Sequence, residues 1–420
     1  MPAGGVAQSI AAQIELLHPE LEKLILMSSV LWKRFQKVEA KAVSNRPMRV
    51  AFQTSAGGRF KAVPGAFDGV ALGRGTGPNE VPGYVSCVAF SQAIEYTALA
   101  KYSTDSSVKA IENYVSLTLG DQTKTFSGYL DALAATSDGS NTLCAITSTV
   151  AGGYVVPNAN FFQDNQFIDV WSALGGAFRG TVQILSVDVN NNTIWLTGAI
   201  APGSIAGDLL LPEGSSAVAN TGISGIPAYN AAGNTGNYMT ISKAAFPGKF
   251  NTPSINLANK SLTPAVIRAL SAAGILAMGE DNDGADAVWH CNVDVQAAWE
   301  NNALTVQTIV ANQNKGDQAT DMGYKKAPTM IAGVPILLNV RAIPGRADRL
   351  DFKHWGRIET KAAGLYDVDG KTTFPAYAND GGLATSDLQY TVIMTQLANF
   401  QPKRSAFLSG IAIPKNFFGN

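Results

Sequence analysis

A chain of 420 residues that is 46% hydrophobic but only 15% charged can fill several cores, yet it has fewer charges than the roughly 25% that cover ordinary soluble domains. Its formal net charge of -1 excludes a protein that grips nucleic acid by its overall field. The three widely spaced cysteines, Cys87, Cys144 and Cys291, exclude a disulfide framework and fit reduced, buried thiols in a cytosolic protein. The first residues lack the basic and apolar runs of a secretory signal, and no stretch is long enough to cross a bilayer; Ala265–Met278 is short and carries Arg268 and Gly274. The shortage of charge points to a large self-association surface, because obligate interfaces are composed like a core cut in half.

In chain order, residues 9–42 read as helical in two pieces, with Pro19 in the first turn of the second and Glu20 and Glu22 beside its positive end. Leu21, Leu24, Ile25, Leu31, Trp32, Phe35 and Val38 form its apolar stripe, which serves either a private core or an arm lying on a neighbour. From Asn45 to Gly83 short alternating runs meet glycines and prolines. Gly57-Gly58 reads as a hairpin tip, and the Gly73–Gly83 stretch as an extended return. Its glycines match no phosphate-binding signature.

Tyr84–Leu99 alternates as a strand, with Val85, Val88, Phe90, Ile94 and Tyr96. Thr104-Asp105-Ser106 then caps a helix over Ser106–Thr136, whose Val108, Ile111, Val115, Phe126, Leu130 and Leu133 recur at helical spacing around a soft point at Gly120. At 1.5 Å per residue this rod is roughly 45 Å long. Such a rod braces a flat subunit.

Leu143–Val156 reads as a strand pair broken at Gly152-Gly153. Phe161–Tyr229, with Val182, Ile184, Val187, Val189, Ile194 and Leu196 around an Asn190-Asn191-Asn192 turn, reads as a small β-barrel or sandwich inserted at a surface loop. A return linker, Gly222–Asn237, leads to a helix from Thr263-Pro264, a strand at Ala287–Cys291, a helix at Val293–Ala311 and a hairpin at Thr329–Val340 bent at Gly333-Val334-Pro335. Strands in Asp348–Thr360, Tyr390–Leu397 and Arg404–Ile413 close the chain, the last returning to the sheet of the Tyr84 strand. The whole is α+β.

No catalytic or metal constellation emerges. His290 and Cys291 are neighbours on a strand and face opposite sides, so they cannot act as a nucleophile pair. A partnership of Cys291 with His18 or His354 would need the fold to bring them together. Read as a calcium loop, Asp281–Asp286 places Asp286 where glycine is required and Asn292 where a bidentate glutamate belongs. Gly222-Ile223-Ser224-Gly225-Ile226 misses the nucleophile-elbow pattern at its last residue. Trp32, Trp289 and Trp299 sit at core positions, and Lys325-Lys326 reads as a solvated face.

The order of parts resembles the major capsid protein of tailed bacteriophages, the Hong Kong ninety-seven fold. The local text most like that family is Ala287-Val288-Trp289-His290-Cys291-Asn292 leading into a helix, then Ile331-Ala332-Gly333-Val334-Pro335-Ile336 leading through Pro344 to Leu350-Asp351-Phe352. The resemblance implies an N-terminal arm at 1–46, an extended β-hairpin loop at 47–83 and a peripheral domain with its spine helix at 84–142. It further implies an axial domain starting at 143–160, an inserted small β-barrel at 161–229, the axial domain resumed at 230–343 and a return to the peripheral domain at 344–420.

It implies self-assembly, through hexamers and pentamers, into an icosahedral virion shell built in the host bacterial cytoplasm. The partners it implies are packaged double-stranded DNA held by weak contact and scaffolding, portal and decoration proteins, with no membrane and no cofactor. The expected contact residues between subunits are Leu21, Leu24, Trp32, Phe35, Gly57, Gly58, Arg59, Phe60, Lys61, Gly333 and Pro335. Some relatives cross-link an extended-loop lysine to a neighbour's asparagine, and Lys61 sits in the corresponding loop. The alternatives are an encapsulin-like compartment shell and a hydrolase with an inserted β-domain.

Overall fold

The computed structural model describes residues 26–39, 47–58, 75–97, 108–219, 221–278, 287–301, 330–377 and 383–413. Its axis is the spine helix Val108–Thr136, about 43 Å long at the usual rise, continuous through Gly120 and within two residues of the expected start. Phe126, Leu130 and Leu133 are buried on one face, as their spacing predicts. The helix stops where Ser137 N–H donates to the Leu133 carbonyl and the Ser137 hydroxyl bonds the Ile223 carbonyl.

One buried side chain of this helix fixes the N-terminal segment. The Asp131 carboxylate accepts from the backbone N–H groups of Val30 (2.6 Å), Leu31 (3.2 Å) and Trp32 (2.8 Å). Those donors open a 3-10 turn, Trp32–Arg34, where orphan N–H groups need acceptors. The chain then enters a strand, Gln36–Glu39, rather than continuing the helical stripe. Trp32 and Phe35 are 1% and 2% exposed, and Phe35 packs on Phe352 and Trp355 at 5.5 and 5.7 Å between ring centroids. The expectation that these two side chains contact a neighbour is therefore corrected: they are the subunit's own core. Leu21 and Leu24 lie outside the described residues.

Two larger sheets make up much of the body. In the first, the 17-residue strand Leu383–Asn399 carries Val88–Thr97 along one edge. Trp355–Leu365 and Thr373–Tyr377 share its other edge, and Gln36–Glu39 adds in parallel outside Trp355–Leu365. Only the later part of the Tyr84–Leu99 strand joins this sheet, because Tyr84 and Val85 belong to a separate hairpin. The second sheet orders its strands as Ser254–Lys260, Ala406–Ile411, Ala347–Asp351, Ala287–Cys291, Val334–Leu338 and Met330–Ile331. It is covered by the helix Pro264–Met278, which buries Ile267 and Leu270.

The last strand thus departs from expectation. Ala406–Ile411 pairs with Ser254–Lys260 and Ala347–Asp351, not with the sheet of Val88–Thr97. The 3-10 turn Pro402–Arg404 redirects the chain between the two sheets, and alternation alone does not say which sheet a strand enters. The Asp348–Thr360 stretch divides likewise at the turn Phe352–His354.

The inserted β-unit is larger than expected. Its strands run Cys144–Ala145, Ser148–Val150, Gly153–Val155, Phe167–Trp171, Phe178–Asp188, Thr193–Thr197 and Leu209–Pro212, so the 143–156 segment belongs to it rather than to an axial domain. The single segment 144–150 pairs with Leu209–Leu210 at its start and with Gly153–Val155 at its end, which closes the sheet into a barrel. Tyr154, Ile168, Val170, Val182, Ile184, Ile194 and Leu210 are buried in it.

His290 marks the interior of the second sheet. Its Nε2 lies 3.1 Å from Asn339 Nδ2, which assigns the ring proton to Nδ1, and Nδ1 is buried without an acceptor. Burial holds its pKa down at about 4 against an ordinary 6.5, with Asp348 raising it and Arg346 lowering it.

Asp131→Ala should lower the stability of the unassembled subunit by on the order of 3 kcal/mol, since three buried donors lose their acceptor; urea unfolding of the full chain measures it. For His290 the unfolded chain takes up the proton near pH 6.5 and the folded chain only near 4, so stability falls as pH drops through that window, by on the order of 3 kcal/mol in total. His290→Gln should remove this part of the slope between pH 7 and 4. Equal slopes for the two proteins would show that the ring titrates alike in both states.

Candidate assembly interface

The antiparallel hairpin Met48–Ser55 with Asn79–Val85 is anchored at its Val85 end. At the anchored end Phe52 packs edge-on against Tyr238 and Phe250, at 5.8 and 5.5 Å between centroids. Tyr84 N–H donates to the Met239 carbonyl at 2.8 Å. A side chain at Gly83 would meet that same carbonyl oxygen at 3.0 Å, so the glycine is what allows the two segments to lie together. Toward the other end Gln53, Ser55, Asn79 and Glu80 are exposed.

Gly57-Gly58 is not the tip. Gly58 N–H donates to the Thr76 carbonyl at 2.7 Å, so the two strands are still paired at the glycines. Gly57, at φ +72°, approaches the Gly77 backbone within 2.6 Å of where a Cβ would stand. The pair reads as a turn because glycine serves left-handed turns, but here it serves close approach between two strands. Arg59, Phe60 and Lys61 lie outside the described residues.

The second candidate region is the turn at the edge of the second sheet. Ala332 and Gly333, at φ 49° and 83°, form a two-residue turn with both residues left-handed, the geometry that matches strand twist. Pro335 therefore sits in the strand opposite Met330 rather than in the bend. Ala332, Gly333, Pro335 and Met330 are all exposed at the rim of the sheet, where Met330–Ile331 is the edge strand.

Residues 222–226 turn out to be a bracket that sequence reasoning missed. A side chain at Gly225 would meet the Leu133 and Ala134 carbonyl oxygens at 2.7 Å, so this loop rests directly on the end of the spine helix. Gln396 holds it from the long strand: Oε1 accepts from Ser224 N–H at 2.7 Å, and Nε2 donates to the Gly222 carbonyl at 3.1 Å and the Ser86 carbonyl at 3.3 Å. The signal present in the sequence was the small-residue run Gly222–Gly225, which reads equally well as a plain turn.

The chemical candidates do not converge. Cys291 is fully buried, with its thiol pushed up to about 12 by burial and by Asp294 and Asp348, so it is no thiolate nucleophile. His354 sits 3.6 Å from Asp351 in the turn between the sheets. Trp289 is buried and Trp299 packs against the same core, as expected. Asp281–Asp286 and Lys325-Lys326 lie outside the described residues. No helix among the described residues is long and apolar enough to cross a membrane.

No family model and no curated protein matches the chain. Solved structures do. The capsid asymmetric unit of cyanophage A-1(L) is similar over 90% of this chain and 90% of its own, at 14% identity and a TM-score of 0.50. The capsid of a native GTA particle aligns over 92% and 91% at 11% identity and TM-score 0.45. An encapsulin complex from Synechococcus elongatus aligns over 91% and 86% at 8% identity and TM-score 0.41. With its spine helix, anchored hairpin, two sheets and barrel, the chain has the fold of a tailed-phage capsid subunit, the Hong Kong ninety-seven fold.

Proposed function

We propose that this chain is a major capsid protein, whose copies assemble through hexamers and pentamers into an icosahedral shell around double-stranded DNA. The observation that carries the reading is the fit of the whole chain, 90% of each partner, to a capsid subunit. The low charge of the chain supports it, because a subunit with 15% charged residues gains by hiding surface against its copies. A shell multiplies many weak contacts, so each remains correctable while the closed particle is stable.

The contact regions are the outer part of the hairpin with the 59–74 segment, which holds Arg59, Phe60 and Lys61, the exposed Ala332-Gly333 turn with Pro335, and the arm residues Leu21 and Leu24. Scaffolding, portal and decoration proteins are its further partners, the host cytoplasm its place of assembly and the virion its destination. A net charge of -1 suits an inner wall that lets packaged DNA slide. Interfaces rather than catalysis carry the function.

Replacing residues 59–74 with a two-residue turn should leave the unassembled subunit's thermal unfolding unchanged and abolish closed particles in negative-stain micrographs, where the parent protein gives uniform hollow shells. Small globules from the parent at every concentration would end the capsid reading. Shells that form inside cells around a protein cargo instead of DNA would favour the encapsulin alternative.

A further inference from the structure

The turn that follows the Val334–Leu338 strand holds two distant parts of the chain. Asn339 N–H donates to the Cys291 carbonyl at 2.9 Å and Ala342 N–H to the Asn339 carbonyl at 3.0 Å, which closes the turn against the second sheet. Its Val340 and Ala342 carbonyls accept from Asn158 Nδ2, at 2.7 and 3.3 Å, at the root of the barrel. Its Arg341 guanidinium lies on the spine helix, 2.7 Å from where a Cβ at Gly128 would stand.

The same turn is wired to His290. Asn339 Oδ1 accepts from Arg341 N–H at 2.9 Å, and a backbone N–H can only donate, so the other end of that amide, Nδ2, faces His290 Nε2 at 3.1 Å. This bond requires a bare Nε2. A proton there would set donor against donor, and turning the Asn339 amide over only moves the clash to Arg341 N–H. His290, Asn339 and Asn158 are 2%, 2% and 3% exposed, so water does not relieve it. Nor do the groups that face the ring. Asp348, its partner across the strand pair, already binds Arg346 at 2.9 Å and Asn230 at 3.1 Å, and Leu337 on the other flank is apolar.

We propose that His290 is an acid-operated latch on the barrel: a proton taken from solvent onto its Nε2 opens the Asn339–Ala342 turn, and the opened turn lets go of Asn158 and loosens the barrel root while the spine helix stays folded. The closed turn holds the ring at about 4, and an opened turn returns it to its ordinary 6.5. Opening is therefore favoured by roughly tenfold for each pH unit lost between those two values, and gains nothing further below them.

Hydrogen exchange of the full chain, read by mass spectrometry and corrected for the intrinsic effect of pH on exchange, tests the latch between about pH 6.5 and about pH 4.5. Peptides covering 339–342 and 158–166 should lose protection together, by roughly tenfold or more, while the end of the spine helix, 126–136, keeps its own. His290→Gln, which has no ring to titrate, should flatten both responses. Asn158→Ser keeps an oxygen to cap the Ala159–Phe161 turn but has no amide to reach the Val340 carbonyl. It should leave the acid response at 339–342 and abolish it at 158–166, and it carries the test should His290→Gln misfold.

Four results would overturn the latch: protection at 339–342 that ignores pH, a spine helix that opens in step with the turn, equal responses in the parent and His290→Gln, or an Asn158→Ser barrel root that still answers to acid.

Discussion

The constraint on which the subunit depends is the burial of one carboxylate. Asp131 sits on the spine helix, and burial pushes its pKa up while the three backbone N–H donors and, more weakly, Arg341 favour the charged form. Three hydrogen bonds to one buried group make the N-terminal segment part of the body. From there the parallel pairing of Gln36–Glu39 with Trp355–Leu365 follows, and with it the aromatic cluster of Phe35, Phe352 and Trp355. Near the end of the same helix, Gly225 lets the 222–226 loop lie on bare backbone, and Gln396 links that loop to the longest strand. The helix, the 26–39 segment and the long strand are one assembly of contacts rather than separable pieces.

The two sheets are joined where the chain twice crosses between them. Phe400 N–H donates to the His354 carbonyl at 2.8 Å, and Trp355 Nε1 donates to Ser405 Oγ at 3.2 Å, so both crossings are pinned at one point. Tyr229 and Tyr238 add hydroxyl donors to the Leu397 and Asn399 carbonyls from the segment that also anchors the hairpin. The hairpin base, the sheet crossing and the long strand therefore share a single aromatic and hydrogen-bonded core. The hairpin base thus rests on the best-supported part of the body.

Much of this was legible because it is local. The spine helix, the Pro264 helix and the Ala287–Cys291 strand announce themselves by period and by cap, and the structure places them within two residues or fewer. What misled were choices made by distant partners. The Trp32, Phe35 and Val38 spacing reads as helix until Asp131, about a hundred residues on, captures the turn. Gly57-Gly58 reads as a tip until Thr76 is seen opposite Gly58. Cys144–Ala145 is too short to read as a strand, yet it is one of the two halves that close the barrel. Contact surfaces were harder still, since burial within the subunit and burial between subunits select the same residues; Trp32 and Phe35 fell on the inner side of that line.

The barrel begins and finishes at the same place. Gly222 N–H donates to the Gly139 carbonyl at 2.9 Å, and Asp138 and Ser224 form a bridge just outside it, so more than eighty residues leave the helix and come back to touching backbone. A module with coincident ends can be gained, lost or exchanged in one genetic event while the chain beneath it keeps its course. Such a junction lets the barrel diverge quickly while the frame beneath it changes slowly.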